Sequence, residues 1–448
     1  MSRKFSQKKI RQLDFLKFFS TIGVVYFLQK NQMIVVYGKG KVGQGLSNFL
    51  TYLQKEFLMM DDTDRDDQKL AEAEKIIPSP GVPPTHFIYQ IYPEKIQSEL
   101  NFIGEIRPVF PFSSSIETIG ITGTDGKSTT SWVLYNLFTK LLPDYQVHLS
   151  GNFDIPFSQT LVDIAKSGST KKNLIVIELS SFMLYQVKNF WFDYSVFLNF
   201  SPDHLNRHPH LEDYFATKEN ILKYTKKQAR TNPEIRSKLS SDLQQKTKQY
   251  TSEFDLSKTN FIGKHNQKNI SFCCECVNQY ISDHSELKLF SLDEKSLIWS
   301  TIWPLPHRTQ LIKTLDEIKF YDDSKSTSSH SLSAALEGFS EKIVLIAGGS
   351  DKGETFEHLS QIFKGHVAYG VFIGTTAPQF SAIFQNNQIA SDQVDSMEKA
   401  VQFAYAYAKK NHIKVILLSP GCASFDMFKD YADRADHFQK AIENITVQ

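Results

Sequence analysis

Cysteine is scarce in this sequence, with four in 448 residues. Cys273, Cys274 and Cys276 crowd together and Cys422 is remote, so no disulfide framework is legible and a reducing compartment is expected. No second cysteine pair stands at ligand spacing, which argues against a zinc cluster. Net charge is nearly absent too: 50 Lys+Arg against 49 Asp+Glu leave +1, so no global field draws the chain to nucleic acid. No apolar run reaches the ~20 residues that a membrane-spanning helix needs. The stretch Phe15 to Leu28 is interrupted by Lys17 and preceded by Arg3, Lys4, Lys8, Lys9 and Arg11, as in a signal peptide, but no small-residue cleavage site follows. Residues 1–32 therefore read as an N-terminal extension that is dispensable or lies before the true start. The expectation is a cytoplasmic monomer with neither membrane nor nucleic-acid partners.

What is present is an ordinary globular mixture, 41% apolar and 22% charged, and the length suits two to four domains. From Met33 onwards, short apolar runs alternate with longer amphipathic stretches, the signature of an α/β protein with parallel sheets. Strands are expected at 33–37, 57–60, 116–121, 174–178, 195–199, 343–347 and 414–418. Composition shifts at the Pro/Ser-rich stretch 108–115 and at Trp303-Pro304-Leu305-Pro306 divide the chain into units near 33–112, 113–303 and 304–448. The polar stretch 225–260 reads as an elaboration of the middle unit.

Several strand ends carry chemistry. Gly38-Lys39-Gly40-Lys41-Val42-Gly43 follows the first strand, and Asp61-Asp62 ends a second roughly twenty residues on, a pattern that suits either a diphosphate of NAD or FAD or a plain tight turn. Gly123-Thr124-Asp125-Gly126-Lys127-Ser128-Thr129 lies between a strand and a helix. Its backbone N–H groups would form an anion nest, Lys127 would neutralise terminal phosphates, and the Ser128 hydroxyl suits Mg²⁺. Ile121 takes the place of the first glycine of the usual phosphate-loop spacing. Glu178 and the segment Asp203-His204-Leu205-Asn206-Arg207-His208 end two further strands, where a carboxylate and an imidazole would suit a divalent cation. The third unit repeats the device in Pro306-His307-Arg308, Asp322-Asp323-Ser324-Lys325-Ser326-Thr327, Gly348-Gly349-Ser350-Asp351-Lys352-Gly353 and Ser419-Pro420-Gly421-Cys422-Ala423-Ser424-Phe425-Asp426, a receptor for an anionic small molecule.

Together these segments resemble the Mur ligase family of peptidoglycan synthesis, from Met33 to the end. The G-T-D-G-K-S-T loop and D-H-L-N-R-H place the resemblance in the wider family, which includes folylpolyglutamate synthase. The run L-S-P-G-C-A-S-F-D-M-F-K-D-Y-A-D-R-A-D-H-F is similar to the end of the member that adds D-glutamate. The resemblance implies three domains: an N-terminal Rossmann-like UDP-binding domain, a central P-loop-type ATPase with a parallel sheet, and a C-terminal Rossmann-like amino-acid-binding domain. It implies ATP and two Mg²⁺ ions, with UDP-N-acetylmuramoyl-L-alanine and D-glutamate joined through an acyl phosphate. The ATP site would use Gly123, Thr124, Asp125, Gly126, Lys127, Ser128, Thr129, Asn266, Asn269, Arg308 and Asp323. Mg²⁺ would fall to Ser128, Glu178, His204 and a carbamylated Lys218, making Lys127, His204 and Lys218 the catalytic set. Sequence alone would leave Lys218 an exposed helix lysine. The UDP-sugar would meet Lys41, Val42, Asp62, Thr63 and Asn152, which reassigns the first glycine-rich motif. D-Glutamate would meet Lys325, Thr327, Lys352, Ser424, Phe425 and Tyr431. The chain departs from the family pattern at Asp125 (usually Asn), Asp154 (Gly), Met183 (Gln) and Ala435 (Gly). Read by itself, Gly38–Gly43 still admits an NAD-dependent oxidoreductase.

Overall fold

The computed structural model describes residues 33–107, 115–204, 207–208, 210–250, 254–284, 287, 292–293, 295–351 and 353–445. The extension 1–32, most of the Pro/Ser-rich stretch, Leu205, Asn206 and Lys352 lie outside the described residues. The chain divides into two compact units, Met1–Thr251 and Ser252–Gln448.

The first unit holds two parallel sheets. β1 (Ile34–Tyr37) is flanked by β2 (Phe57–Met60) and β3 (Lys75–Pro78) in the order β2-β1-β3. All four β1 residues are buried, as a central strand covered on both faces requires. Gly43, in the helix Lys41–Tyr52, lets that helix approach the strand end, since a Cβ there would stand 1.9 Å from the Gly38 carbonyl oxygen. The second sheet runs β5-β6-β4-β7-β8-β9, from β4 (Ile116–Thr122), β5 (Tyr145–Gly151), β6 (Lys172–Glu178), β7 (Phe192–Phe197), β8 (Thr225–Thr231) and β9 (Thr247–Gln249). The helix Lys41–Tyr52 also packs on the helix Phe157–Ser167, and a core containing Leu46, Phe49, Phe157 and Leu161 runs from one sheet layer into the next.

The second unit has one sheet, β10-β11-β15-β12-β13-β14, comprising β10 (Gln310–Leu315), β11 (Ile318–Asp322), β12 (Ile343–Gly348), β13 (Val367–Ile373), β14 (Ala390–Gln393) and β15 (Val415–Leu418). Only β10 is antiparallel to its neighbour, paired with β11 across a tight turn. Apolar clusters cover both faces of the parallel part. The twenty-residue helix Lys264–Asp283 precedes this sheet and buries Cys273 and Cys276. Among the described residues, no helix is long and apolar enough to cross a membrane.

All seven expected strands are present, within three residues at each end. The unforeseen ones have a physical reason. β14 (ASDQ) is an edge strand with no fully buried residue, and β5 is buried only at its last two positions, so neither needed an apolar run. The polar stretch after Thr225 supplies β8 and β9, which extend the second sheet in parallel beyond β7.

Candidate functional site

In the first unit the phosphate loop links β4 to the helix Lys127–Leu141. Gly126 sits at the helix N-cap with φ 76°, a left-handed conformation that glycine adopts without a Cβ penalty. The end of β7 fixes the loop from the side. Thr124 N donates to Asn199 O at 3.1 Å, Asp125 N to Asn199 Oδ1 at 2.8 Å, and Asn199 Nδ2 returns a bond to Asp125 O at 3.0 Å. The Thr124 hydroxyl donates to Ser201 O at 3.1 Å. Lys127 Nζ folds onto the loop, donating to Gly123 O at 3.0 Å and Thr124 O at 2.8 Å. Ser128 and Thr129 follow, half-buried, at the start of the helix. A positively polarised helix N-terminus with one lysine above it is suited to polyphosphate.

Glu178 ends β6, adjacent to β4 in the sheet, and is 2% exposed. Its Oε1 accepts from Asn152 Nδ2 at 2.9 Å, whereas the buried Oε2 has no hydrogen-bond partner. Asn152, expected at the sugar nucleotide, therefore also orients this carboxylate. His204 lies beyond β7 with φ 54°, a turn conformation that histidine adopts more readily than branched residues. Its ring packs against Phe182 at 5.0 Å and Tyr214 at 6.1 Å between centroids. Partial burial lowers its pKa, Asp203 opposes this, and Lys218, Lys127 and Arg207 add to it, so the ring is neutral at pH 7 with a lone pair to offer.

Lys218 is the residue whose placement the sequence least announced. It is 1% exposed, on the helix Leu211–Lys223, and its Nζ donates to the Gly123 carbonyl at 2.7 Å. Burial first, then the charge of Lys127, drive its pKa well down, against weaker support from Asp203 and Asp125. The buried positions of that helix are Tyr214, Thr217, Lys218, Ile221 and Leu222, a helical stripe on which Lys218 falls. That periodicity was the available signal.

The expected sugar-nucleotide residues lie around β1 and β2. Asp62 Oδ1 accepts from Tyr37 OH at 2.6 Å and is 2.9 Å from His86 Nε2, and its pKa is lowered chiefly by those two partners. Thr63 bonds Asp61 Oδ1 through its backbone N at 2.9 Å. Lys41, followed by half-buried Val42, forms an exposed pair with Asp154 at 3.0 Å. Asp154 has φ 83°, a left-handed position at which glycine would be unstrained.

The second unit gathers another set. Asn266 and Asn269 are buried on the helix Lys264–Asp283, and Asn266 Nδ2 donates to Ile262 O at 2.8 Å. Asp323 is held by Thr309 N at 3.0 Å and Ser419 Oγ at 2.8 Å. Burial pushes its carboxyl up to about 7, with Ser419 and Arg308 opposing. The buried Nε of Arg308 has no hydrogen-bond partner. Lys325 Nζ stands 5.4 Å from the Tyr431 ring centroid, Thr327 lines a small pocket with Ser350, Glu354, Thr376 and Cys422, and Ser424 is buried nearby in sequence. Phe425 is 73% exposed, and Lys352 lies outside the described residues.

Sequence reasoning missed Arg434 as a site residue. It is fully buried, donating from Nη1 to Cys422 O at 3.0 Å and from Nη2 to Ser324 O at 2.7 Å, so it pins the Asp322–Thr327 and Ser419–Asp426 loops together. Burial lowers its pKa to about 10, which leaves it charged at neutral pH. Like Lys218, it sits on the buried stripe of its helix, with Ala435, Phe438, Ala441 and Ile442.

Among the described residues, no cluster of three or more His, Cys, Asp or Glu is arranged to hold a metal. The donor set expected here differs in kind: one carboxylate, one imidazole, a hydroxyl and a lysine.

The Mur ligase middle domain pattern matches residues 121–251, and that of the Mur ligase glutamate ligase domain matches 307–422. The chain is 30% identical over 444 residues to the UDP-N-acetylmuramoylalanine--D-glutamate ligase of Hydrogenobaculum sp., covering 91% of this chain and 98% of that protein. The enzyme of the same name from Aquifex aeolicus is 29% identical over 423 residues, with the same coverage of 91% and 98%. Among solved structures, the MurF ligase of Thermotoga maritima in complex with ADP superposes with a TM-score of 0.56 at 15% identity, covering 94% of this chain and 99% of that one. The folylpolyglutamate synthase of Mycobacterium tuberculosis, complexed with ADP, gives 0.54 at 10% identity, covering 90% and 100%. At those identities the two structures report the fold alone.

Proposed function

The chain belongs to the Mur ligase family, and from that premise we propose that it joins D-glutamate to UDP-N-acetylmuramoyl-L-alanine at the expense of ATP, in cytoplasmic synthesis of peptidoglycan precursors. The observation that carries the chemistry is the buried Lys218 amine, its pKa driven well down by burial, within hydrogen-bond reach of the phosphate loop. A solvated lysine would be an ammonium and a poor nucleophile, whereas a neutral amine adds CO₂ to give a carbamate and a proton. Carbamylation turns that neutral amine into an anion.

The partnerless, buried Glu178 Oε2 fits a cation, since an unsatisfied acceptor there is costly without one. Glu178, His204, Ser128 and the Lys218 carbamate would hold two Mg²⁺ ions, which when bound neutralise triphosphate charge. The remaining work belongs to positioning. Lys127 and the loop N–H groups cradle the phosphates. The terminal carboxylate of the L-alanyl group attacks the γ-phosphorus, ADP leaves, and an acyl phosphate replaces a carboxylate too unreactive to acylate an amine. The neutral amine of D-glutamate attacks that carbonyl, the tetrahedral intermediate expels inorganic phosphate, and the nitrogen loses a proton to give the amide.

The domain roles follow from the same reading, with UDP binding in 33–112, ATP binding in 113–303 and amino-acid binding in 304–448. Asp62 and Thr63 read the nucleotide end, with Lys41, Val42 and Asn152 further along. Asn266, Asn269, Arg308 and Asp323 complete the ATP site. Lys325, Thr327, Lys352, Ser424, Phe425 and Tyr431 receive D-glutamate, and the protein acts as a monomer. The test is ATP-dependent phosphate release with UDP-N-acetylmuramoyl-L-alanine, comparing D-glutamate, L-glutamate and D-aspartate. Release with D-glutamate alone supports the reading. Release only with a folate acceptor and L-glutamate overturns it in favour of another member of the family.

A further inference from the structure

Arg207 has no part in the chemistry above, yet its guanidinium spans three segments. Nη1 donates to Gly81 O at 3.0 Å and Nη2 to Val82 O at 2.8 Å, in the turn that follows β3. The same guanidinium lies over the Phe182 ring, 4.1 Å from its centroid. Phe182 follows Glu178 by four positions and packs its ring against His204. Between the turn and the short helix Ser181–Leu184 lies a cavity lined by Pro80, Tyr89, Phe182, Met183 and Tyr185, so side-chain packing does not close that gap. Arg207 stacks on Phe182, one of the residues lining that cavity, while its donors hold the turn. Two divergent N–H donors on a stackable plane are a property of guanidinium that an ammonium lacks.

We infer that Arg207 is a positioning residue that clamps the Ser79–Val82 turn of the nucleotide layer against the Phe182–His204 edge of the phosphate site. This rests on the proposed function, which puts the sugar nucleotide on the turn's side and ATP on the other. The clamp then sets the distance between the carboxylate to be phosphorylated and the phosphate that reaches it. Misplacement by about 1 Å costs on the order of a hundredfold in rate, so the clamp acts on turnover as well as on binding.

The test compares wild type with Arg207→Lys, which keeps the charge but loses the fork and the stacking plane. The expected result is a kcat lower by roughly 30- to 100-fold and a raised KM for UDP-N-acetylmuramoyl-L-alanine, with the KM for ATP within about twofold. Arg207→Ala should regain part of its rate in tens of millimolar guanidinium, whereas Arg207→Lys should not. A merely structural arginine would lower the melting temperature and raise both KM values together without guanidinium rescue, and that pattern overturns the inference, as does an Arg207→Lys enzyme of unchanged kinetics. If wild type releases no phosphate with this substrate pair, the functional reading falls, and hydrogen exchange decides the clamp separately. Amides in 79–86 should exchange faster in Arg207→Lys than in wild type, and unchanged exchange there would refute it.

Discussion

Lys127 and Lys218 approach the same Gly123 carbonyl from different environments, and burial drives the pKa of Lys218 well down. Lys127 is half-buried beneath a loop open to phosphate, whereas Lys218 is sealed behind Tyr214 and Thr217 on a helix stripe. Lys127→Ala should lose more than tenfold in turnover, over ~1.4 kcal/mol of transition-state stabilisation, with the melting temperature nearly unchanged. Lys218→Ala should be nearly inactive and regain part of its rate from acetate or formate in the presence of Mg²⁺. Lys218→Arg should stay inactive, because a permanent cation repels the metal that a carbamate would attract; full activity in that variant returns Lys218 to a packing role. Asp323 offers a prediction in stability. Its folded pKa of about 7 lies above the unfolded value of 3.8, so the folded state binds the extra proton. Its stabilisation is complete below the unfolded value and is lost as pH rises through about 7, by a few kcal/mol at most. Asp323→Asn should remove that slope, read as the denaturant midpoint of the two proteins between pH 5 and 8.

The turns that deliver these side chains matter as much as the strands they follow. At the end of β5, Asp154 holds φ 83°, and its only evident return is an exposed pair with Lys41. Exposed pairs contribute about 0–1 kcal/mol, while a left-handed non-glycine residue costs roughly 1–2. Asp154→Gly should therefore leave stability unchanged or raise it by up to about 1 kcal/mol in a thermal melt. A loss of several degrees would show that the pair with Lys41 outweighs the strain. The helices Leu211–Lys223 and Tyr431–Glu443 share a different device, a basic side chain on the buried stripe. In the first Lys218 donates to the Gly123 carbonyl, and in the second Arg434 donates to two loop carbonyls. Motif reading finds glycine loops readily because their geometry is local, and it passes over such stripes because a lysine or arginine on a helix is ordinarily solvated.

At the scale of the whole molecule, ligands that bind only the folded protein should stabilise it. ATP with Mg²⁺, or UDP-N-acetylmuramoyl-L-alanine, at a hundred times its dissociation constant should add about 2.7 kcal/mol, seen as a higher melting temperature. A folate should give no shift, and a folate shift without one from the UDP-sugar would contradict the assignment. The sequence by itself determined the α/β class, the central buried strands, the glycine-rich loop between β4 and its helix, and the placing of Glu178 at the end of β6. Each of these depends on a short run of residues whose periodicity or turn chemistry is local. Only the tertiary structure decided that Lys218 is buried with a lowered pKa, that Arg207 bridges the turn after β3 to Phe182, and that Arg434 joins two loops far apart in the chain. Those outcomes turn on which charged groups the packing removes from water and which partners it leaves within reach, and a linear sequence with no contacts carries neither quantity.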